Sequence, residues 1–167
     1  MPEPRLFVDA NALLKRYVQE TGSDNMKAIV GTAEFRGRLF VCEHIEGEII
    51  SALNRKHRQG ILNRRGFSDA RDEFYGHFPD IFAVVPQKTT IKADAISLLN
   101  QHWDAGITHP DALHLAAHTY VAEQLNDSIL TLTTCDKGMK KVASRLSIPV
   151  FDPEKDSLAN LSSPEQV

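Results

Sequence analysis

Short apolar runs rich in β-branched and aromatic residues alternate with longer helical stretches along most of this 167-residue chain. Strands that alternate with helices through short connections form a mostly parallel sheet with helices on both faces. The alternation therefore predicts an α/β fold, a three-layer α/β/α domain with a mostly parallel five-stranded sheet. The predicted strands are residues 5–8, 39–42, 81–85, 129–133 and 148–151.

The helices between these strands are predicted from the three-and-four spacing of apolar residues and from capping residues. They cover residues 11–18, 24–35, 43–59, 68–77, 92–104, 111–125 and 136–146. The length of the chain corresponds to one domain at roughly 150 residues per domain. We expect residues 1–153 to form that domain and the polar residues 154–167 to form a mobile tail.

Charge and hydropathy argue against several classes of protein. The formal net charge is −3, so the chain lacks the global positive field of proteins that hold DNA by charge alone. No stretch approaches the roughly 20 apolar residues of a membrane span, and the first residues lack the apolar core of a signal peptide. We therefore expect a cytoplasmic protein without membrane association. The two cysteines, Cys42 and Cys135, are too few for a disulfide scaffold and argue against a structural zinc site.

Three acidic residues, Asp9, Asp111 and Asp136, stand where predicted helices begin. Each one alone is explained as a helix cap, since a carboxylate in the first turn gains roughly 0.3 to 1 kcal/mol from the helix dipole. In a parallel sheet, however, helices on the same side of the strand-order switch begin at the same edge. The three carboxylates are therefore expected to converge in one crevice.

Convergent carboxylates repel one another unless a cation offsets their charge. A site with only oxygen ligands favours Mg²⁺ or Mn²⁺, and an ion bridging to phosphate would let an acidic protein act on a phosphodiester. Zinc is less expected, because His109, His114 and His118 are scattered around one helix and only the last two share a face. Two such histidines without an intervening Glu base are more often packing or surface residues.

A fourth acidic ligand is expected from the long helix over residues 43–59, which offers Glu43, Glu46 and Glu48. Glu46 and Glu48 fall on opposite flanks of the apolar stripe of this helix. Periodicity therefore does not choose between them, and either could belong to a solvated polar face.

Four sequence blocks occur in an order and spacing that resemble one known family. They are Leu-Phe-Val-Asp-Ala-Asn at 6–11, Gly-Glu-Ile-Ile-Ser-Ala-Leu at 47–53, Asp-Ala-Leu-His-Leu-Ala at 111–116 and Leu-Thr-Thr-Cys-Asp at 132–136. The chain resembles PIN-domain proteins, and most of all the short VapC-type toxin ribonucleases, from about residue 5 to residue 152. Each block alone is weak, but the four together are fairly specific.

The resemblance implies roles for particular residues. Metal-binding and catalytic roles fall on Asp9, Glu48, Asp111 and Asp136, and supporting roles on Asn11 and Thr134. It thereby selects Glu48 among the three candidate glutamates. The chain departs from the pattern at Pro110, where relatives often have an aromatic residue, and at Lys137-Gly138, where some have a further acid. One tightly held and one weak or substrate-dependent metal ion are therefore as plausible as two.

The resemblance also implies an activity and partners. The expected activity is that of an Mg²⁺- or Mn²⁺-dependent endoribonuclease, in which water attacks the phosphodiester and leaves a 5′-phosphate and a 3′-hydroxyl. An antitoxin protein that lies across the acidic crevice and self-association into a homodimer are the expected protein partners. The alternatives are a non-toxin PIN nuclease in RNA processing and a non-catalytic PIN-like module that binds RNA or protein; a phosphatase with Asp9 as nucleophile is a remote fourth.

A run of basic residues is a candidate RNA contact in an otherwise acidic chain. Its proposed contact residues are Arg55, Arg58, Arg64 and Arg65. Acidic residues interrupt the run, so a solvated helix face is a slightly better interpretation than an RNA-binding surface.

Overall fold

A computed structural model of the chain describes residues 4–161, and these form a single parallel sheet flanked by helices. The strand order is β3-β2-β1-β4-β5, and each of the four pairings is parallel. The predicted three-layer α/β fold with five strands is confirmed. The strands are β1 (Leu6–Val8), β2 (Leu39–Cys42), β3 (Phe82–Val85), β4 (Thr131–Thr133) and β5 (Val150–Phe151).

Seven α-helices cover the two faces of the sheet in the described part of the chain. They are α1 (Ala10–Leu14), α2 (Ser23–Gly31), α3 (Ile45–Arg58), α4 (Arg64–Ile81), α5 (Thr89–Gln101), α6 (His109–Leu125) and α7 (Lys137–Arg145). Two short 3-10 helices add to them, at Ala33–Phe35 and Leu158–Leu161. No helix within residues 4–161 combines the length and the apolar character needed to cross a membrane.

The central strand β1 divides the hydrophobic core into two halves. Successive side chains of a strand point to opposite faces of the sheet. Leu6 and Val8 accordingly pack with the apolar side chains of α1 to α4, whereas Phe7 packs on the other face with those of α5 to α7. All three are fully buried, which explains why this strand is a continuous apolar run rather than an alternating one.

Helix α4 is longer than predicted at both ends. It begins at Arg64 rather than at Ser68, because the side chain of Asn63 caps it by accepting a hydrogen bond from the backbone N–H of Gly66 at 2.8 Å. It also continues to Ile81, beyond the predicted end at His77. The first turn of α4 therefore includes two arginines of the basic run.

The expected tail boundary after Pro153 also differs from the structure. Leu158 and Leu161 pack against the core on the α1-to-α4 side of the sheet. The amide of Asn25 donates hydrogen bonds of 2.9 Å to the backbone carbonyls of Pro153 and Asp156. The domain thus extends to at least residue 161 because these leucines have an apolar surface to cover; residues 162–167 of the predicted tail lie outside the described residues.

The parallel topology determines where a functional site can form. All strands end at the same edge of the sheet, and α1, α3 and α7 begin directly after β1, β2 and β4 at that edge. Helix α6 precedes β4 and runs back across the sheet, so it begins at this edge too. The carboxyl edge of the sheet therefore collects four helix N-termini beside the central strands.

Candidate active site

Asp9 directly follows the central strand and is the most buried of the candidate acidic residues, with 1% of its surface exposed. It caps α1 by accepting a hydrogen bond at Oδ1 from the backbone N–H of Ala12, at 2.7 Å. Its other oxygen, Oδ2, accepts a hydrogen bond from the hydroxyl of Thr134 at 2.6 Å. Both oxygens of a buried carboxylate are thus held in fixed directions.

Burial raises the pKa of Asp9 to about 6. The positive charge of His114 and the hydrogen bonds from Thr134 and Ala12 lower this pKa, whereas the negative charge of Asp111 raises it further. Asp9 therefore lies within electrostatic range of two residues from α6. A carboxylate that is costly to ionise in this position is one that a divalent cation would stabilise in its charged form.

Thr134 connects Asp9 with Asp136 across the two neighbouring central strands. Its hydroxyl donates to Asp9 and accepts a hydrogen bond from the backbone N–H of Asp136 at 3.1 Å. Asp136 in turn caps α7, and its Oδ1 accepts from the backbone N–H of Met139 at 2.8 Å. Thr134 is fully buried, so its position is set by packing as well as by these bonds.

Asp111 lies in the first turn of α6 and forms a capping box with Thr108. Its Oδ2 accepts hydrogen bonds from the backbone N–H of Thr108 at 2.7 Å and from the Thr108 hydroxyl at 2.8 Å. The capping box fixes the start of α6 at the carboxyl edge of the sheet. Asp111 therefore has a structural role in addition to its electrostatic effect on Asp9.

Glu48 lies in the first turn of α3 and faces two histidines. His114 donates a hydrogen bond of 2.7 Å from Nε2 to Oε2 of Glu48, and Nε2 of His44 lies 3.3 Å from the same oxygen. Burial alone would lower the pKa of His114, but its interactions with Cys42 and Glu48 outweigh burial and raise the pKa to about 10. His114 is thus a buried cation placed between Glu48 and Asp9.

The structure brings the four predicted acids to one edge of the sheet but does not gather them into a ligand set. Asp9 and Asp136 are connected through Thr134, and Glu48 is connected to Asp9 through the charge of His114. Among residues 4–161, the group of three potential ligands whose ligand atoms lie within 4.8 Å of one another is Cys42, His44 and His114.

Three of the carboxylates each cap a helix, and the fourth, that of Glu48, is hydrogen-bonded to His114. The shared metal site of the four acids stays a prediction. The donor set nevertheless fits a hard cation, since it offers carboxylate oxygens around the buried charge of Asp9. Asn11 is exposed in α1, and no contact in the described residues gives it a role.

No sequence pattern indicates that Cys42, His44 and His114 form one group. Their association depends on packing of the end of β2, the start of α3 and the body of α6. No motif or spacing links these segments, although His114 lies within the block at 111–116. The second histidine of α6, His118, is a packing residue whose Nε2 donates to the backbone carbonyl of Leu130 at 2.7 Å.

The proposed RNA-contact residues are all exposed, at the last turn of α3 and the first turn of α4. They are Arg55, Arg58, Arg64 and Arg65. Glu48 and Arg58 are ten residues apart on α3, which is about 15 Å along a helix axis. The basic run thus begins at some distance from the acidic edge, and its contact with RNA stays a prediction.

Comparison with known proteins agrees with the sequence blocks. The profile of the PIN-domain family matches residues 6–145. In sequence, the chain matches no curated protein closely enough to count as a relative.

Three solved structures share the fold. VapC20 of Mycobacterium tuberculosis, a toxin that cleaves the sarcin-ricin loop, has 15% identity and a TM-score of 0.60, over 82% of this chain and 94% of its own. FitAcB from Neisseria gonorrhoeae has 16% identity and a TM-score of 0.62, over 90% and 99%. PAE2754 from Pyrobaculum aerophilum has 19% identity and a TM-score of 0.54, over 87% and 96%. At these identities the likeness is one of fold, and the family follows from the profile match. This chain belongs to the PIN-domain family.

Proposed function

We propose that this protein is a metal-dependent endoribonuclease with its active site at the carboxyl edge of the sheet. PIN domains are generally nucleases. The observation that carries the proposal is the buried carboxylate of Asp9, held by Thr134 and electrostatically coupled to Asp111 and His114. A domain that had only to fold would have little reason to bury this charge beside another carboxylate.

Asp9, Asp111, Asp136 and Glu48 are the residues that would hold Mg²⁺ or Mn²⁺. When bound, such an ion lowers the pKa of water and neutralises charge that develops on the phosphate. Thr134 fixes the direction of Oδ2 of Asp9, and His114 holds Glu48 by its hydrogen bond. In this proposal the water attacks the phosphodiester and leaves a 5′-phosphate and a 3′-hydroxyl, so no protein nucleophile is needed.

RNA is the proposed substrate and an antitoxin the proposed protein partner. VapC20, which shares the fold, is a toxin that cleaves an RNA loop. In this proposal the exposed arginines of α3 and α4 contact the phosphate backbone of RNA. Affinity that depends on such contacts decreases as the salt concentration rises. A basic side chain of an antitoxin segment would complement the acidic edge, and self-association into a homodimer is part of the same proposal.

A non-catalytic PIN-like module is the second candidate. It is favoured by one observation: the carboxylates of Asp9, Asp111 and Asp136 each accept hydrogen bonds that cap a helix. A module of this kind would bind RNA or protein without turnover.

One assay separates the two candidates. The purified chain is incubated with mixed RNAs in Mg²⁺, in Mn²⁺ and in chelator, and the ends of the products are mapped. The proposal expects cleavage in either metal, none in chelator, and a loss of roughly 100-fold or more in Asp9→Asn. Asp24→Asn, an exposed acid in the first turn of α2, is the matched control and should cleave like the parent. Equal cleavage by parent and Asp9→Asn would rule the proposal out.

A further inference from the structure

Cys42, His44 and His114 form a compact group beside the acidic edge. Cys42 is the last residue of β2, His44 directly precedes α3, and His114 lies in α6. One ligand atom from each side chain lies within 4.8 Å of the other two. Cys42 and His114 are almost completely buried, and His44 is partly exposed.

The ring nitrogens of this group lack the partners that buried polar atoms normally have. Nδ1 of His114 is buried without a hydrogen-bond partner among the described residues. Nε2 of His44 is buried as well and makes no hydrogen bond there, although it lies 3.3 Å from Oε2 of Glu48. The thiol of Cys42 has a long contact of 3.7 Å to the backbone carbonyl of Leu113. A buried polar group left unpaired costs roughly 1 to 3 kcal/mol, and folded proteins rarely leave several in one place.

The opposite nitrogen of each histidine is held in place. Nε2 of His114 donates to Glu48, and Nδ1 of His44 lies 3.2 Å from the side-chain amide of Gln87. Histidines that bind a metal usually donate their second N–H to a carboxylate or carbonyl oxygen, which fixes the ring. The His114–Glu48 pair has this arrangement. The His44–Gln87 pair has the same arrangement when the amide oxygen of Gln87, rather than the amide nitrogen, faces Nδ1 of His44.

We propose that Cys42, His44 and His114 bind a zinc ion, with Glu48 orienting His114. One thiolate and two imidazoles are ligands that zinc prefers and that magnesium does not. The fourth position of the tetrahedron is filled by water. The three zinc ligands are not members of the acidic ligand set, and the two sites share only Glu48, which in the zinc site holds His114 by its hydrogen bond. Zinc binding does not depend on the proposed nuclease function.

The geometry requires a small closure of the group. Zinc binds sulfur at about 2.3 Å and nitrogen at about 2.0 to 2.1 Å, so tetrahedral ligands lie about 3.5 Å apart. Ligand atoms that lie up to 4.8 Å apart must therefore approach by about 1 Å, which side-chain rotation supplies. On binding, the thiol of Cys42 and Nδ1 of His114 each release a proton to solvent, and His114 keeps the proton on Nε2 that it donates to Glu48.

Cobalt spectroscopy tests the site directly. The full-length protein is reduced, freed of metal by chelation and titrated with Co²⁺, which replaces zinc and shows a thiolate-to-cobalt charge-transfer band. We expect one Co²⁺ per chain with this band, complete displacement by one equivalent of Zn²⁺, and no displacement by a large excess of Mg²⁺. Absence of the band in the parent overturns the proposal.

Matched variants assign the ligands. Cys42→Ser should lose the band, and Cys135→Ser, which changes the other free cysteine, should keep it. His44→Gln should also lose the band or weaken zinc binding at least tenfold, and Glu48→Gln should weaken it roughly 10- to 100-fold through the outer ligand shell.

The fold of each variant is checked by circular dichroism. If Cys42→Ser does not fold, the partly exposed His44 decides the question. Unchanged binding in His44→Gln, or a band lost only in Cys135→Ser, contradicts the site. Because the band is read without RNA, a chain that fails to cleave RNA can still bind zinc, and the two proposals fail independently.

Discussion

The two sides of the central strand use different means to place charge at the same sheet edge. On the side of β4, Asp9 and Asp136 are held by helix caps and by one threonine hydroxyl. On the side of β2, Glu48 is held by His114, a buried cation that comes from a distant helix. The acidic side is therefore built from local contacts of strand ends and helix starts, and the histidine side from long-range packing.

The two sides differ in how the charge of their buried ionisable residue is balanced. Asp9 is a buried acid, and burial raises its pKa to about 6 although the positive charge of His114 lowers it. His114 is buried as well, but the carboxylate of Glu48 balances its charge. The acidic side thus has unbalanced negative charge that a cation can offset, whereas Glu48 offsets the charge of His114 in the metal-free protein.

The largest effect that tests this difference is expected at Asp9. Asp9→Asn should reduce RNA cleavage by roughly 100-fold or more, since it removes the central charge of the proposed site. In chelator, the free energy of unfolding should stay the same or rise, because the amide keeps the shape while the poorly solvated charge is gone. Chemical denaturation at neutral pH measures this. A clear loss of stability in the variant would contradict the conclusion that the acidic side has unbalanced negative charge.

Much of the acidic side could be predicted from the sequence because its geometry is local. Asp9 and Asp136 follow short apolar runs and begin helices, so strand and cap signals place them within a residue of the observed positions. The five strands are likewise predicted correctly, since each is an apolar run between turn residues. Asp111 is predicted for the same reason, in the first turn of a helix behind Pro110, and the structure adds its capping box with Thr108.

The histidine side could not be predicted in this way. Cys42, His44 and His114 meet only after β2, α3 and α6 pack together, and no period or cap signal connects them. The expectation against a zinc site rests on the two cysteines and on the histidines of one helix, and it does not include His44, which lies in another segment. The start of α4 is predicted at Ser68 but lies at Arg64, where the side chain of Asn63 caps the helix.

Glu48 should show the second-largest effect, on stability. Glu48→Gln leaves the buried His114 cation without its carboxylate, so we expect a loss of about 1 to 3 kcal/mol in the free energy of unfolding. Glu46→Gln, at an exposed position in the same helix turn, is the matched control and should change it by less than about 0.5 kcal/mol. Equal values for the two variants would show that the histidine side is not held by this pair.

Thr134 should show a smaller effect that reaches both acidic residues. Thr134→Val keeps the shape but removes the hydroxyl that donates to Asp9 and accepts from the N–H of Asp136. We expect a loss of about 1 kcal/mol in stability and a moderate decrease in cleavage. Thr133→Val is the matched control, because the neighbouring hydroxyl has no hydrogen-bond partner among the described residues. Thermal unfolding and the RNA assay should both show a larger loss for Thr134→Val than for Thr133→Val. A larger loss for Thr133→Val contradicts the role of Thr134.

The smallest effect compares the two buried histidines of α6. Burial lowers the pKa of His118, and its Nε2 donates to the backbone carbonyl of Leu130, so it is neutral in the folded protein. In the unfolded chain it takes up a proton near pH 6.5. Its contribution to stability is therefore complete above that pH and is lost as the pH falls through 6.5 towards its lower folded pKa. His118→Gln should flatten the decrease in unfolding free energy between pH 7 and pH 5 relative to the parent.

His114 works in the opposite direction, because its folded pKa of about 10 favours the protonated form. Its contribution to stability is complete below pH 6.5 and is lost progressively as the pH rises from 6.5 towards 10. If the decrease in unfolding free energy between pH 7 and pH 5 disappears in a His114 variant but persists in His118→Gln, the assignment of these pH dependences to the two histidines is wrong.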